Sequence, residues 1–398
     1  MKKFFSVCLL LCCFVFLFVH IPSVSGQIII TKNSLMQNPT LNFQGVRGND
    51  ELSQKIFSDL NYCGWFQLTR DKNADYILSG QASGNNVTLT IANSAGLTIA
   101  TVKGNGSDAR EAAHHAVDAV LKQLFQIDGL CNSKIVFVVT TKQGNRELVT
   151  CDFDGSNIRQ ITQNKTHSIE PLWGYDGKTV IYTYYGTSYT CLVQYDFASG
   201  KSRKLSSYPG LNAGGAMSPG DGKYTAMVLG KGNQVDLYIR ETEGSQLQQI
   251  TKDRSVEASP CWAPDGKTLC FVSDVTGRPT LHTVIPGKDS PKQIRGITGS
   301  ERVTPDWSSD HKIAYSAKIG SEYCLAVIDM SSGSPVQLSV GNNKNIPGEG
   351  PSWAPDNRHV VLEHKGSIYV VDTFLGKSRK LLSGTSAVSQ PDWSPLLP

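Results

Sequence analysis

Two hydrophobic periods run along this chain, and they separate near residue 130. Between residues 27 and about 128 the apolar positions mix the 3.6-residue spacing of helices with the two-residue alternation of strands. Gln27-Ile28-Ile29-Ile30-Thr31 reads as a short apolar strand. From Glu51 to Leu60 the pattern predicts a helix with Leu52, Ile56, Phe57 and Leu60 on its inner face and Asn49 or Asp50 as the cap. Ala74–Ala82, Val87–Ala92 and Leu97–Val102 are strand-like, joined through Gly84-Asn85-Asn86 and Ser94-Ala95-Gly96. A second helix is predicted from about Asp108, capped by Ser107, with Ala113, Val117, Val120 and Leu124 inward. These elements predict a small α/β sandwich, one sheet covered by two helices.

From about Ser133 onward the pattern is strand and turn, and it repeats. PLWGYDGK at Trp173, GAMSPGDGK at Met217, PCWAPDGK at Trp262, PDWSSDHK at Trp307, PSWAPDNR at Trp353 and PDWSP at Trp393 recur at spacings of 44, 45, 45, 46 and 40 residues. A repeat of that length with about four strands is the signature of a β-propeller blade. Residues 134–162 hold three strands with no anchor segment before them, and Gln390-Pro391-Asp392-Trp393 is an anchor with no strands after it. Together they make one blade. The prediction is a six-bladed propeller closed by its C-terminal strand, which removes the open edge of an unclosed array. The expected organisation is a leader at 1–26, an α/β domain at 27–130 and the propeller at 131–398.

The W-x-P-D-G-K core follows from turn chemistry alone. Pro presets φ, Asp caps the turn, Gly accepts φ > 0, and the Trp is a wedge between blades. No G-x-S-x-G elbow, H-E-x-x-H, Walker loop or dinucleotide fingerprint occurs. His114 and His115 are neighbours on the second helix and point about 100° apart, so they cannot share one ion well. They read as surface residues, and no metal or cofactor is expected. The loops entering the inner strands carry Glu170, Glu257, Glu301 and Glu349, three to six residues before an anchor in four of the six blades. With Asn212 as a neutral member, these acids predict a partner-binding channel mouth suited to a cation or a basic segment.

The formal net charge of +4 falls to 36 − 34 = +2 once Lys2 and Lys3 are set aside with the leader, so a dedicated nucleic-acid binder is excluded. Lys2 and Lys3, the apolar run Phe4–Val19 and the small residues Ser23-Val24-Ser25-Gly26 form a secretory leader pattern. No other segment is apolar enough to span a membrane, so export without membrane insertion is expected. Cys8, Cys12 and Cys13 would leave with the leader, and seven cysteines remain with no C-x-x-C pair. Cys261 and Cys270 flank a tight turn and read either as a facing pair or as separate buried thiols.

The order of leader, α/β segment and six WSPDG-type blades resembles the TolB family of Gram-negative envelope proteins. The most specific stretches are Cys261–Pro279 and the ending Pro391-Asp392-Trp393-Ser394-Pro395. The resemblance implies a periplasmic, monomeric, non-enzymatic scaffold. It would bind the peptidoglycan-associated lipoprotein Pal at the channel mouth and TolA through the N-terminal strand Gln27, Ile28, Ile29 and Ile30, with other outer-membrane proteins as further partners. It implies a role in envelope integrity and in outer-membrane constriction at division. Met217 and the extra Gly220 depart from the family's anchor, Leu211 beside Asn212 stands where the family carries a histidine, and Gln27–Lys32 lacks the family's acids. The competing expectation is a propeller enzyme acting on an envelope polysaccharide, which would need two carboxylates about 5–9 Å apart at the mouth.

Overall fold

Local capping sets both helices of the first layer. A computed structural model describes residues 37–342, 345–382 and 386–397, so the leader and Gln27–Ile30 lie outside the described residues. Helix α1 (Asp50–Tyr62) is capped by Asn49, whose side chain accepts from the Leu52 N–H at 3.0 Å. Leu52, Ile56 and Leu60 are buried as expected, but Phe57 is 51% exposed and Asp59 is buried instead. At 100° per residue Leu52, Ile56, Asp59 and Leu60 fall on one face of the helix, and Phe57 lies off its edge.

Helix α2 (Ala109–Phe125) is capped by Asp108, not Ser107. Ser107 donates its N–H and hydroxyl to the Glu111 carboxylate at 2.7 and 2.6 Å, while Asp108 accepts from the Glu111 N–H, so the two residues share the helix start. Strands β1 (Thr40–Arg47), β2 (Gln67–Leu68), β3 (Tyr76–Ser83), β4 (Asn86–Asn93) and β5 (Thr98–Asn105) form one sheet in the order β2-β1-β3-β4-β5. β1 runs parallel to β2 and β3, and the remaining pairs are antiparallel. Gly104 lets β5 meet α2 closely: a Cβ there would lie 2.6 Å from the Ala116 Cβ.

Six four-stranded sheets follow. Their inner strands are Ser168–Trp173, Asn212–Met217, Glu257–Trp262, Arg302–Trp307, Glu349–Trp353 and Val388–Trp393. The last pairs antiparallel with Lys134–Thr140, Val388 opposite Val139 and Trp393 opposite Ile135, so the C-terminal strand completes the sheet begun by residues 134–160. This is the predicted ring closure. The anchor tryptophans are wedges, each no more than 8% exposed. Trp262 packs between Leu237 and Ile239 of the preceding sheet and Leu269 and Phe271 of its own. The turn aspartates act as expected, with Asp265 accepting from the N–H groups of Lys267 and Thr268 at 2.8 Å each.

The α/β layer and the propeller share one apolar core, in which Leu60, Val117 and Leu121 join a cluster with Phe153, Ala354 and Trp393. A buried ionic group lies within that junction and corrects the surface reading of His114. His114 is 7% exposed, with Nδ1 at 2.8 Å from Asp59 and Nε2 at 4.0 Å from Asp152. Arg110 and Lys134 also pair with Asp152. His115, one residue on, turns outward to the Asn105 carbonyl at 2.6 Å. A second polar contact joins the layers where the Trp65 indole donates to Asp356 at 2.9 Å, and Arg358 binds Asp372 and Asn38 at 2.6 Å each.

Candidate functional site

Each inner strand breaks its ladder at the same place. The residue three before each anchor has a left-handed backbone: Glu170 (φ 53), Gly214 (58), Ser259 (48), Thr304 (49), Gly350 (59) and Gln390 (50). In five strands the next residue is Pro, which has no N–H for the ladder, and the register shifts there in all six. A bulge of this kind re-aims its side chain. Four of the six positions carry side chains in a conformation that glycine adopts most readily, which marks strain retained at one level of the ring. The fixed offset from each anchor is the sequence signal that would have found this ring.

The predicted mouth residues do not share one structural position. Asn212 and Glu257 both lie five residues before their anchors, where strand alternation turns the side chain into the blade. Asn212 is fully buried, bonded to Ser206, Thr190 and the backbone of Tyr208. Glu257 is 1% exposed and accepts from Thr251, Ser255 and Ser273 at 3.0, 2.6 and 3.0 Å. Burial raises its carboxyl above the usual range, against the pull of those three hydroxyls. Both expected members of the open mouth are therefore internal braces.

Glu170, Glu301 and Glu349 face outward and lie on one continuous arc. Glu170 accepts from the Thr183 hydroxyl at 2.9 Å, and its N–H donates to the Gln390 side chain at 3.0 Å. The Gln390 N–H reaches the Glu363 carboxylate at 3.2 Å, and Glu363 is the register partner of Glu349. Burial, and then the charge of Glu349, raise the Glu363 carboxyl. Glu301 accepts from Lys318 at 2.7 Å and from the Tyr323 hydroxyl at 2.6 Å, and these bonds lower its pKa. Tyr323, pushed up to about 12 by burial and then by Glu301 and Glu349, joins the two ends. Glu322, Tyr323, Glu349, Glu363, His364 and Lys365 line a depression of about 330 Å³. Sequence reasoning missed Glu363, because nothing in its own strand separates it from any other half-buried glutamate.

The opposite end of the channel is mostly apolar. A cavity of about 310 Å³ is lined by Tyr175, Cys261, Asp306, Ser352 and Asp392 among the anchor tryptophans. The residue before three of the anchors links neighbouring inner strands. Asp392 accepts from the Trp173 N–H at 2.6 Å, Ser352 from the Trp393 N–H at 3.0 Å, and Asp306 from the Trp353 N–H at 2.7 Å. Burial and then the charge of Asp306 push the Asp392 carboxyl up to about 8. The unfolded chain ionises Asp392 near the ordinary 3.8 and the folded chain only near 8, so folding is progressively disfavoured as pH rises between them. Urea midpoints should therefore fall across that window. Asp392→Asn should flatten the fall, and an equally steep fall in the variant would remove Asp392 as its source.

No group of three or more His, Cys, Asp or Glu side chains suited to a metal occurs among the described residues. Among them also, no helix is long and apolar enough to cross a membrane.

A family model described as the TolB beta propeller domain matches residues 121–397. The chain is 30% identical over 159 residues to the Tol-Pal system protein TolB of Anaeromyxobacter dehalogenans, covering 40% of this chain and 36% of that protein. It is 27% identical over 173 residues to the protein TolB homolog of Chlorobium chlorochromatii, covering 43% and 38%. The aligned parts thus span little more than a third of those curated relatives. The crystal structure of TolB from Acinetobacter baumannii superposes with a TM-score of 0.79 at 22% identity, over 90% of this chain and 97% of that one.

Proposed function

The chain belongs to the TolB β-propeller family, and from that membership we propose that it is a non-enzymatic scaffold of a Tol-Pal system, exported to the periplasm. Its partners in this reading are the peptidoglycan-associated lipoprotein Pal at the channel mouth and TolA at Gln27–Ile30. Its role is envelope integrity and outer-membrane constriction during division.

The observation that carries the Pal contact is the acidic arc of Glu170, Glu363, Glu349 and Glu301 at one mouth of a closed ring. Glu170, Glu349 and Glu363 sit on strands at the rim of the rigid frame, and the loops beside them can vary in sequence without disturbing blade packing. Tyr185, Tyr189, Val256 and Val275 in the loops of the same face are 40–53% exposed and offer apolar contact area beside the acids. The arc draws in a basic segment, and the apolar residues hold it once water is excluded.

Glu170→Gln with Glu349→Gln tests this. The melting temperature should stay at the parental value, since exposed charges contribute little to stability. Capture of Pal from an envelope extract should weaken roughly tenfold at low salt if about 1.4 kcal/mol of attraction is removed. The difference should shrink as salt rises, because screening already weakens the parental charges. A double variant that captures Pal as the parent does at low salt would remove the arc as the contact.

A further inference from the structure

The inner strand Glu257–Trp262 and its neighbour Leu269–Ser273 are joined by a tight turn, and their register sets Cys261 directly opposite Cys270. Opposed residues on antiparallel strands point to the same face, with Cα atoms roughly 4.5 or 5.5 Å apart. Both separations lie within the roughly 4.4–6.8 Å that a disulfide requires. The other strand cysteines have no such partner, since Cys151 faces Ile135, Cys191 faces Tyr184 and Cys324 faces Ala317. All seven cysteines among the described residues are free thiols here.

We propose that Cys261 and Cys270 are this chain's oxidation site, closing into an intrablade disulfide as the protein folds in an oxidising compartment. The oxidant is a small disulfide such as oxidised glutathione. One cysteine thiolate attacks it, forming a mixed disulfide and expelling one glutathione thiolate. The second cysteine thiolate then attacks the bound cysteine sulfur and expels the other glutathione. Two protein thiols become one disulfide, the oxidant's disulfide becomes two thiols, and the two protons end on the glutathiones.

Timing follows from burial. The hairpin is local in sequence, so its strands can meet before the ring closes. In the closed ring Cys270 is fully buried, and the adjacent Cys270 side chain together with burial holds the Cys261 thiol well above its ordinary range. Thiolate, the reactive form, is then scarce. The oxidation state is set during folding and kept afterwards. Closure also removes the Cys261 thiol from the channel wall it shares with Asp306 and Ser352.

The test is a thiol map of the chain refolded from the reduced, unfolded state in a glutathione redox buffer. After unfolding and alkylation, peptides should show Cys261 linked to Cys270, with five alkylated cysteines in place of the seven described here. Protein synthesised in the same buffer should give the same map without a refolding step. Folded, reduced protein placed in that buffer should form the bridge roughly tenfold more slowly or worse. Cys270→Ala should abolish every intramolecular disulfide and leave Cys261 free or capped by glutathione. Alkylation of all seven described cysteines in a chain folded under oxidant would overturn the proposal, as would a bridge from either to any other cysteine. Equal rates before and after folding would overturn its timing. None of these outcomes depends on the Tol-Pal reading.

Discussion

A chain ending before Val388 is expected to lose the propeller in a single transition, not to fray at one edge. The deleted strand is the inner member of the sheet that also holds Lys134–Thr140, Arg146–Asp152 and Arg159–Gln160, the first strands of the ring. Trp393 is 4% exposed and packs with Ile135, Cys151, Ala354 and Val361, while its indole donates to Ser133 at 2.7 Å. Removing a buried tryptophan side chain alone costs about 3–5 kcal/mol. Loss of Asp392 leaves the Trp173 N–H without its acceptor, and a buried orphan of this kind costs about 1–3 kcal/mol. The ladder edge of Lys134–Thr140 is bared as well. Against a usual total of about 5–15 kcal/mol, these losses remove most or all of the stability. Circular dichroism melts of the truncated chain and of full-length Trp393→Ala form the measurement. The point variant should melt lower but cooperatively, and the truncation should show no folded baseline at room temperature. A truncated chain melting at the full-length temperature would refute closure by the C-terminal strand.

The second large effect is expected at His114. The structure places it between Asp59 and Asp152 inside the junction of the two layers. Burial alone would lower its pKa, but the neighbouring carboxylates of Asp152 and Asp59, the second hydrogen-bonded to it, outweigh burial and raise it to about 9. His114→Leu leaves the buried Asp59 without its hydrogen-bonded partner, and breaking a buried pair from one side costs about 3–5 kcal/mol. The pH dependence has a definite sign. Below the ordinary 6.5 both states bind the proton and the contribution is complete. As pH rises towards 9 the unfolded chain releases its proton first, and the contribution is lost as pH passes through the folded value. The parental urea midpoint should therefore drop between neutral and mildly alkaline pH, and His114→Leu should start lower and drop less. Equal slopes would show that His114 is not the group responsible. His115→Leu is the control, with little expected change.

Ring closure was legible because it is a matter of counting and phase. Spacings near 44 residues, turn residues suited to their positions, and an unpaired anchor at one end with three unpaired strands at the other leave little choice of topology. The acids were a different problem. Glu170, Glu349, Glu257 and Glu301 lie three, four, five and six residues before their anchors, and because alternation reverses direction at every residue and a bulge sits three before the anchor, treating them as one group mixed outward with inward positions. Thus Glu170 at the bulge is exposed while Glu257, two positions further from its own anchor, is buried. Glu363 entered the arc only through its strand register with Glu349.

The chain's own pattern thus determined the element types, the six-fold repeat and the closing strand, all of them local or periodic properties, while the register that sets Cys261 opposite Cys270 came from the structure. Tertiary structure alone decided that Asn212 and Glu257 are internal braces, that Asp392 holds its proton towards pH 8, and that His114 is an ion-paired core residue. Burial and charge are set by what comes to lie opposite a residue. For His114 those neighbours are Asp59, 55 positions earlier in the chain, and Asp152 from the first propeller sheet, and no window of sequence holds all three.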